Sequence, residues 1–267
     1  MRQGSVGASV LLAAMALALG ACGSEDTSGD TSASSGVDLI KDGEIITCTH
    51  LPYQPFQFER GGKIVGFDVD MIDLVAKKLG VKQSIVDTPF DGIKSGEDLN
   101  ARKCDIAAAA MTITPERQQK LAFSAPYFDA NQALLVKKGS GITSLGDLKG
   151  RALGVLSGTT GKLYAEKHAP DGVQLKDYED LALQLSSVKS GQLPAAINDI
   201  PVLLDYVKKN PQLEVAAQFK TGEQYGFAMK KATSQKLEQI VNDVIEQAKA
   251  DGTYDKIYKT WFGARPQ

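Results

Sequence analysis

Short apolar runs alternate with helical stripes twice along this chain of 267 residues, and no other feature restricts the fold as much. In the first set, Glu44 to Thr49 reads as a strand, and Phe58 and Ile64-Val65 flank a hairpin-type turn at Gly61-Gly62. The clearest helix covers Phe67 to Leu79: Phe67, Met71, Val75 and Leu79 share one stripe, Asp68 and Asp70 open it, Lys77 and Lys78 close it, and Gly80 ends it. Gln83 to Val86 is a second strand, a polar helix-like piece precedes Cys104, and Ile106 to Met111 is an apolar run suited to a buried strand. Ala133 to Val136 is another such run, and Gly139-Ser-Gly141 marks a break after it. The second set then has a strand at Ala152 to Leu156, a helix to about His168, a helix from Tyr178 to Ser190, a strand at Ala195 to Asn198 and a helix after Pro201. A late strand, Tyr225 to Met229, precedes two C-terminal helices, the last with Tyr254, Ile257, Tyr258 and Trp261 at core-packing spacing. Strand alternating with helix predicts an α/β fold of βαβ units, with mainly parallel sheets in two lobes. In such sheets ligands sit beyond the C-terminal strand ends.

Several of those strand ends hold residues with binding chemistry. Thr114-Pro115 reads as a helix start, threonine as N-cap and proline at the first helical position, which puts Arg117 in the first turn. A cation there opposes the helix dipole unless an external anion lies between the guanidinium and the free N–H groups. The bland alternative is a surface arginine after an ordinary N-cap. The alanines from Ala107 to Ala110 leave backbone open to close approach. Ser157-Gly-Thr-Thr-Gly161 lies between a strand and a helix, where main-chain N–H groups can receive an anion, or it is simply a Gly-rich helix start. It lacks the first glycine and the Ser or Thr of a phosphate loop, so a small carboxylate suits it better. Asp199 either caps the following helix or faces the cleft, where it would match an ammonium group. Arg117, the Thr160 amide and Asp199 together offer two anion grips and one cation grip, as an α-amino acid zwitterion requires. Tyr53 and Phe90, both read as loop residues after strands, could wall in a side chain.

Composition excludes other classes. A formal net charge of −2 gives no ground for a nucleic-acid partner. The two histidines, His50 and His168, have no metal-ligand spacing, no cofactor motif is present, and no Gly-x-Ser-x-Gly or Cys-His arrangement supplies a nucleophile. Residues 1–21 read as a signal peptide, with Arg2 ahead of the apolar stretch Val10 to Leu19. Leu19-Gly-Ala-Cys22 resembles the lipobox of bacterial lipoproteins, which implies lipidation at Cys22. Ser24 to Gly36 is rich in Ser, Thr, Asp and Gly, so residues 22–42 would be a lipidated flexible tether. That places the folded part on the outer, extracytoplasmic face of the cell membrane, held to the lipid bilayer through acylated Cys22. Cys48 and Cys104 form an even pair in an exported chain, which favours a disulfide. Read as positions on straight parallel strands they are offset by about four residues, roughly 13 Å, which favours two buried thiols.

Five runs in order, Val65-Gly-Phe-Asp-Val-Asp70, Thr112-Ile-Thr-Pro-Glu-Arg117, Phe123-Ser-Ala-Pro-Tyr127, Ser157-Gly-Thr-Thr160 and Gly252-Thr-Tyr-Asp-Lys-Ile-Tyr-Lys-Thr-Trp-Phe-Gly263, resemble the polar amino-acid-binding proteins of bacterial ABC importers. These are the solute-binding proteins of family 3, and the match is close to glutamine- and lysine/arginine/ornithine-binding members. The resemblance implies a periplasmic-binding-protein-like (type II) Venus flytrap with a two-strand hinge. Lobe 1 would comprise residues 43–127 plus 226–267, lobe 2 residues 132–220, and the crossovers residues 128–131 and 221–225. It implies that Arg117 clamps a ligand carboxylate with the Thr112 hydroxyl and the Thr160 N–H. Asp199 and the Ala110 carbonyl would take the ammonium, and Tyr53 and Phe90 would sandwich the side chain. His50 stands where relatives place an acid, which weakens the case for a cationic ligand and leaves a neutral polar, aromatic or acidic one. The partners implied are a free amino acid and an ABC transporter permease with its ATPase; a monomer is expected. The runner-up is a cleft enzyme of the same fold, a cyclohexadienyl dehydratase.

Overall fold

The computed structural model describes residues 36–263; the expected signal peptide and lipidated Cys22 lie outside them. Of the expected tether, residues 36–42 are described, and they are tied to the fold. Val37 and Leu39 pack on the core, and the Ile40 N–H donates to Asp105 at 2.8 Å.

The described residues form two five-stranded sheets and a two-stranded hairpin. The first contains β1 (Glu44–Thr49), β4 (Lys82–Asp87), β5 (Ile106–Ala107), β6 (Leu121–Phe123) and β12 (Ala228–Lys230), in the order β4-β1-β5-β12-β6. β2 (Phe58–Arg60) and β3 (Lys63–Val65) make the hairpin expected around Gly61-Gly62. The second sheet contains β7 (Phe128–Lys137), β8 (Ala152–Leu156), β9 (Gln174–Tyr178), β10 (Ala195–Asp199) and β11 (Leu213–Tyr225), in the order β11-β7-β10-β8-β9. Only β12 in the first sheet and β7 in the second run against their neighbours, so four of five strands in each sheet share a direction.

Helix α1 (Phe67–Leu79) ends as its charges dictate, with Gly80 at φ 70 accepting the left-handed turn. Its apolar stripe packs on the C-terminal helices α8 (Gln235–Ala250) and α9 (Thr253–Phe262), through Met71, Val75, Val241 and Tyr254. Trp261 donates from Nε1 to Asp70 at 2.6 Å, and Tyr254 stands edge-on to Phe67, so the aromatic spacing of α9 is core packing as expected. Phe56 joins these parts: its ring lies 4.9 Å from Phe128, 5.2 Å from Tyr225 and 5.2 Å from Phe262. Phe128 and Tyr225, which pair across β7 and β11, stand where the chain passes between the sheets. One aromatic cluster therefore ties the last helix to both passages.

Three expectations are corrected. Cys48 and Cys104 form a disulfide, with Cα atoms 5.6 Å apart, and are not two thiols. The straight-strand extrapolation fails because Cys104 precedes β5 and follows a turn through Arg102 at φ 56, so it is not in line with the strand. The apolar run Ile106 to Met111 is a strand only at its first two residues. Ala110 adopts φ 46 and gives its N–H to Asp68 at 2.8 Å instead of to a ladder. The helix expected from Tyr178 starts at Leu181, capped by the Asp180 side chain, because Gln174–Tyr178 is β9. Most of β11 was likewise illegible as a strand. Both are sheet edges, half-exposed and polar, without the apolar run that marks a central strand.

Candidate functional site

A cavity of about 330 Å³ lies where the loops of the two sheets meet. His50 follows β1, Pro89 and Phe90 follow β4, Ala109 to Thr112 follow β5, Ser157 to Thr160 follow β8, Glu179 follows β9, and Asp199 ends β10. Each position is a C-terminal strand end. The structure brings all eight sequence-derived site residues, His50, Tyr53, Phe90, Ala110, Thr112, Arg117, Thr160 and Asp199, to the wall of this one cavity.

Arg117 sits in the first turn of α4 (Pro115–Lys120), whose N-cap Thr114 accepts the Arg117 N–H at 3.2 Å. The side chain turns inward and is buried. Its guanidinium donates to the Thr112 carbonyl at 2.7 Å and, across the cleft, to the Gly158 carbonyl at 3.1 Å, and lies over the Phe90 ring at 5.4 Å. Burial lowers its pKa, opposed by the carboxylates of Asp199 and Glu223. Phe90 is thus the first residue of α2 (Phe90–Ser95), not a loop residue, and its ring backs the arginine. Thr160 opens α5 (Thr160–His168), with Thr159 as its N-cap. The Thr112 and Thr160 hydroxyls are 3.3 Å apart, another contact across the cleft.

Asp199 occupies the N-cap position of α7 (Ile200–Lys209) yet makes no side-chain cap bond. Its buried carboxylate instead accepts from Gln132 Nε2, the Tyr225 hydroxyl and, at 2.7 Å, the Tyr53 hydroxyl. Burial raises its pKa, and the bonds from Tyr225, Tyr53 and Gln132 oppose the rise. Tyr53 therefore spans the cleft through its hydroxyl as well as offering a flat wall. Ala110 is placed by the buried Asp68, which also accepts the Tyr127 hydroxyl at 2.7 Å; burial pushes the Asp68 pKa up to about 7. His50 Nδ1 lies 3.0 Å from the Thr88 carbonyl and Nε2 lies 3.4 Å from the Glu179 carbonyl.

Sequence reasoning missed four residues. Glu223 accepts from Thr160 Oγ1 and Gln132 Nε2, each at 2.9 Å, and burial followed by the Asp199 charge raises its pKa. Gln132 and Tyr225 hold Asp199, and Gln57 lines the cavity beside His50. None carries a local signal: Gln132, Glu223 and Tyr225 lie on strands whose partners are distant in sequence, and Gln57 lies in a short bridge to Tyr53 that marks no chemistry.

The cavity joins one buried cation, one buried carboxylate and the starts of α2, α4, α5 and α7 between two α/β sheets. A probable histidine-binding protein of Neisseria gonorrhoeae is 32% identical over 257 residues, which cover 94% of this chain and 93% of the relative. Among solved structures, an ancestral arginine-binding protein bound to arginine superposes with a TM-score of 0.77 at 42% identity, covering 83% of this chain and 99% of that one. An ancestral amino acid-binding protein described as a precursor of cyclohexadienyl dehydratase gives 0.77 at 39% identity, covering 82% and 96%. The curated relatives are named as binding proteins and not as enzymes. With residues 45–264 matching its family model, the chain belongs to the bacterial extracellular solute-binding proteins, family 3.

Proposed function

We propose that this protein binds one free amino acid in the cavity and delivers it to the permease of an ABC importer, whose ATPase drives uptake. The observation that carries the reading is the pair Arg117 and Asp199, buried opposite charges on the wall of one cavity. A guanidinium has five N–H donors in a planar fork. The two given to Thr112 and Gly158 leave others for a carboxylate, and the Thr160 N–H at the start of α5 adds a second donor group. Asp199 and the Ala110 carbonyl then take the ammonium, and Thr112, Tyr53, Phe90 and His50 complete the enclosure.

Residues 128–131 and 221–225 serve as the hinge between a lobe of residues 43–127 plus 226–267 and a lobe of residues 132–220. A ligand touching both lobes stabilises the closed arrangement by its differential contacts, and the permease recognises that form. The chain acts as a monomer, anchored by acylated Cys22 on the outer face of the cell membrane. The test is a thermal-shift screen of the twenty amino acids followed by calorimetry, since a ligand of the native state raises the melting temperature. At least one amino acid should bind at micromolar or tighter Kd, and none binding would sink the reading. The likeness to the dehydratase precursor motivates one control: prephenate and arogenate should be recovered unchanged.

A further inference from the structure

We propose that Gln57 reads the ligand's side chain, and that the amino acid bound here carries a side-chain N–H donor, as in a carboxamide, imidazole or guanidinium. The inference rests on the amino-acid-binding reading above. Gln57 is 1% exposed and lines the cavity. Its Oε1 is buried and meets no donor among the described residues. The orientation of the amide is set, because Nε2 donates to the His50 carbonyl at 3.4 Å, and an oxygen turned that way would face another acceptor. An acceptor is therefore held in the wall with a main-chain carbonyl fixing it from behind.

Gln132 Oε1 is also buried without a donor, but Gln132 is absent from the cavity wall and its amide nitrogen serves Asp199 and Glu223. Gln57 is thus the place where a ligand can complete a buried hydrogen bond. Leaving such an acceptor unpaired has a cost, so a hydrocarbon side chain is disfavoured. Charge points the same way. Among the described residues Arg117 is the one lysine or arginine on the wall, which also carries the carboxylates Glu179 and Asp199, and Asp91 paired with Lys94 at 2.8 Å; the α-carboxylate of the ligand claims the arginine. A second carboxylate on the ligand would enter an already acidic enclosure without a partner. A donor-bearing side chain meets both conditions, which narrows the neutral, aromatic or acidic side chains left open by His50 and readmits a cationic one.

Calorimetry of the full chain with glutamine, glutamate, methionine, histidine and arginine tests this. At least one of glutamine, histidine and arginine should bind roughly 100-fold tighter than both glutamate and methionine. Gln57→Leu should weaken that ligand by roughly 10–100-fold while changing methionine by less than about threefold. Gln57→Glu should move preference towards arginine over glutamine. Equal weakening of all five by Gln57→Leu would mean that Gln57 serves the ammonium or the fold, and would overturn the proposal. So would glutamate binding as tightly as glutamine. Binding without discrimination defeats this inference alone, whereas no binding by any amino acid defeats it together with the reading beneath it.

Discussion

Arg117 and Gln57 stand on the same cavity wall under opposite conditions. Arg117 is held by carbonyls from both sides of the cleft, by the Phe90 ring and by the N-cap of its own helix. Among the described residues the Gln57 side chain has one bond, from its amide nitrogen, and an oxygen that nothing satisfies. On the proposed reading this is a division of labour: a charge locked in place would meet the group common to every amino acid, and an acceptor that only some ligands complete would meet the variable one.

The largest test of this comparison is Arg117→Ala. It should lower affinity for every amino acid by about 10³-fold, or about 4 kcal/mol, without changing their rank order. The apo melting temperature should stay within a few degrees, because the fold already disfavours this buried cation. Calorimetry reads the first outcome and a thermal melt the second; a reordered ligand series would break the comparison.

The next largest concerns what holds the Gln57 end. Cys48 lies two residues before His50, whose carbonyl fixes the Gln57 amide, and its disulfide to Cys104 closes a separation of 56 residues. Replacing both cysteines by alanine should cost roughly 3–4 kcal/mol of stability, a drop of roughly 10 °C in melting temperature. Arginine-to-glutamine preference should move with the loss of the bridge if His50 needs it for position. Rank order unchanged would show that the β1 ladder alone suffices.

Asp199→Asn comes third. It keeps the shape and the bonds to Tyr53 and Tyr225 but removes the charge, and should weaken binding by roughly 30-fold. A ligand analogue lacking the α-ammonium should lose far less. Equal losses for both would place the ammonium elsewhere.

Legibility in the sequence follows the same division. Arg117 was readable because it breaks a local rule, a cation in a first helical turn, and Asp199 because it ends a central strand just before Pro201. Gln57 sits in the bridge from Tyr53 after β1 and obeys every local preference, so only the folded contacts reveal its unpaired oxygen. Gln132, Glu223 and Tyr225 were hidden in the same way, since they meet Asp199 or Thr160 only once β7, β10 and β11 are side by side. The central strands and α1 were legible from apolar periodicity. The polar edges β9 and β11 have none to show, and the disulfide is hidden from a straight-strand reading because the chain turns at Arg102 before it reaches β5.

The smallest effect is a proton count. Asp199 has a pKa raised by burial, against bonds from Tyr225, Tyr53 and Gln132, and Glu223 has one raised by burial and then by Asp199. For groups whose folded pKa lies above the unfolded value, the stabilising contribution is complete below the ordinary carboxylate range and is lost as pH rises through the raised values. An ammonium placed against Asp199 favours its ionised form and draws that pKa back down. Binding on the acid side of neutrality should therefore release protons, less than one per ligand, and affinity should fall as the pH drops through that window. Calorimetry in two buffers of different ionisation enthalpy measures the count. Asp199→Asn should abolish most of the release, whereas Gln57→Leu should leave it unchanged, because an amide oxygen does not titrate. Proton uptake instead of release, or a count that follows Gln57, would mean that the two ends of the cavity are not separate devices.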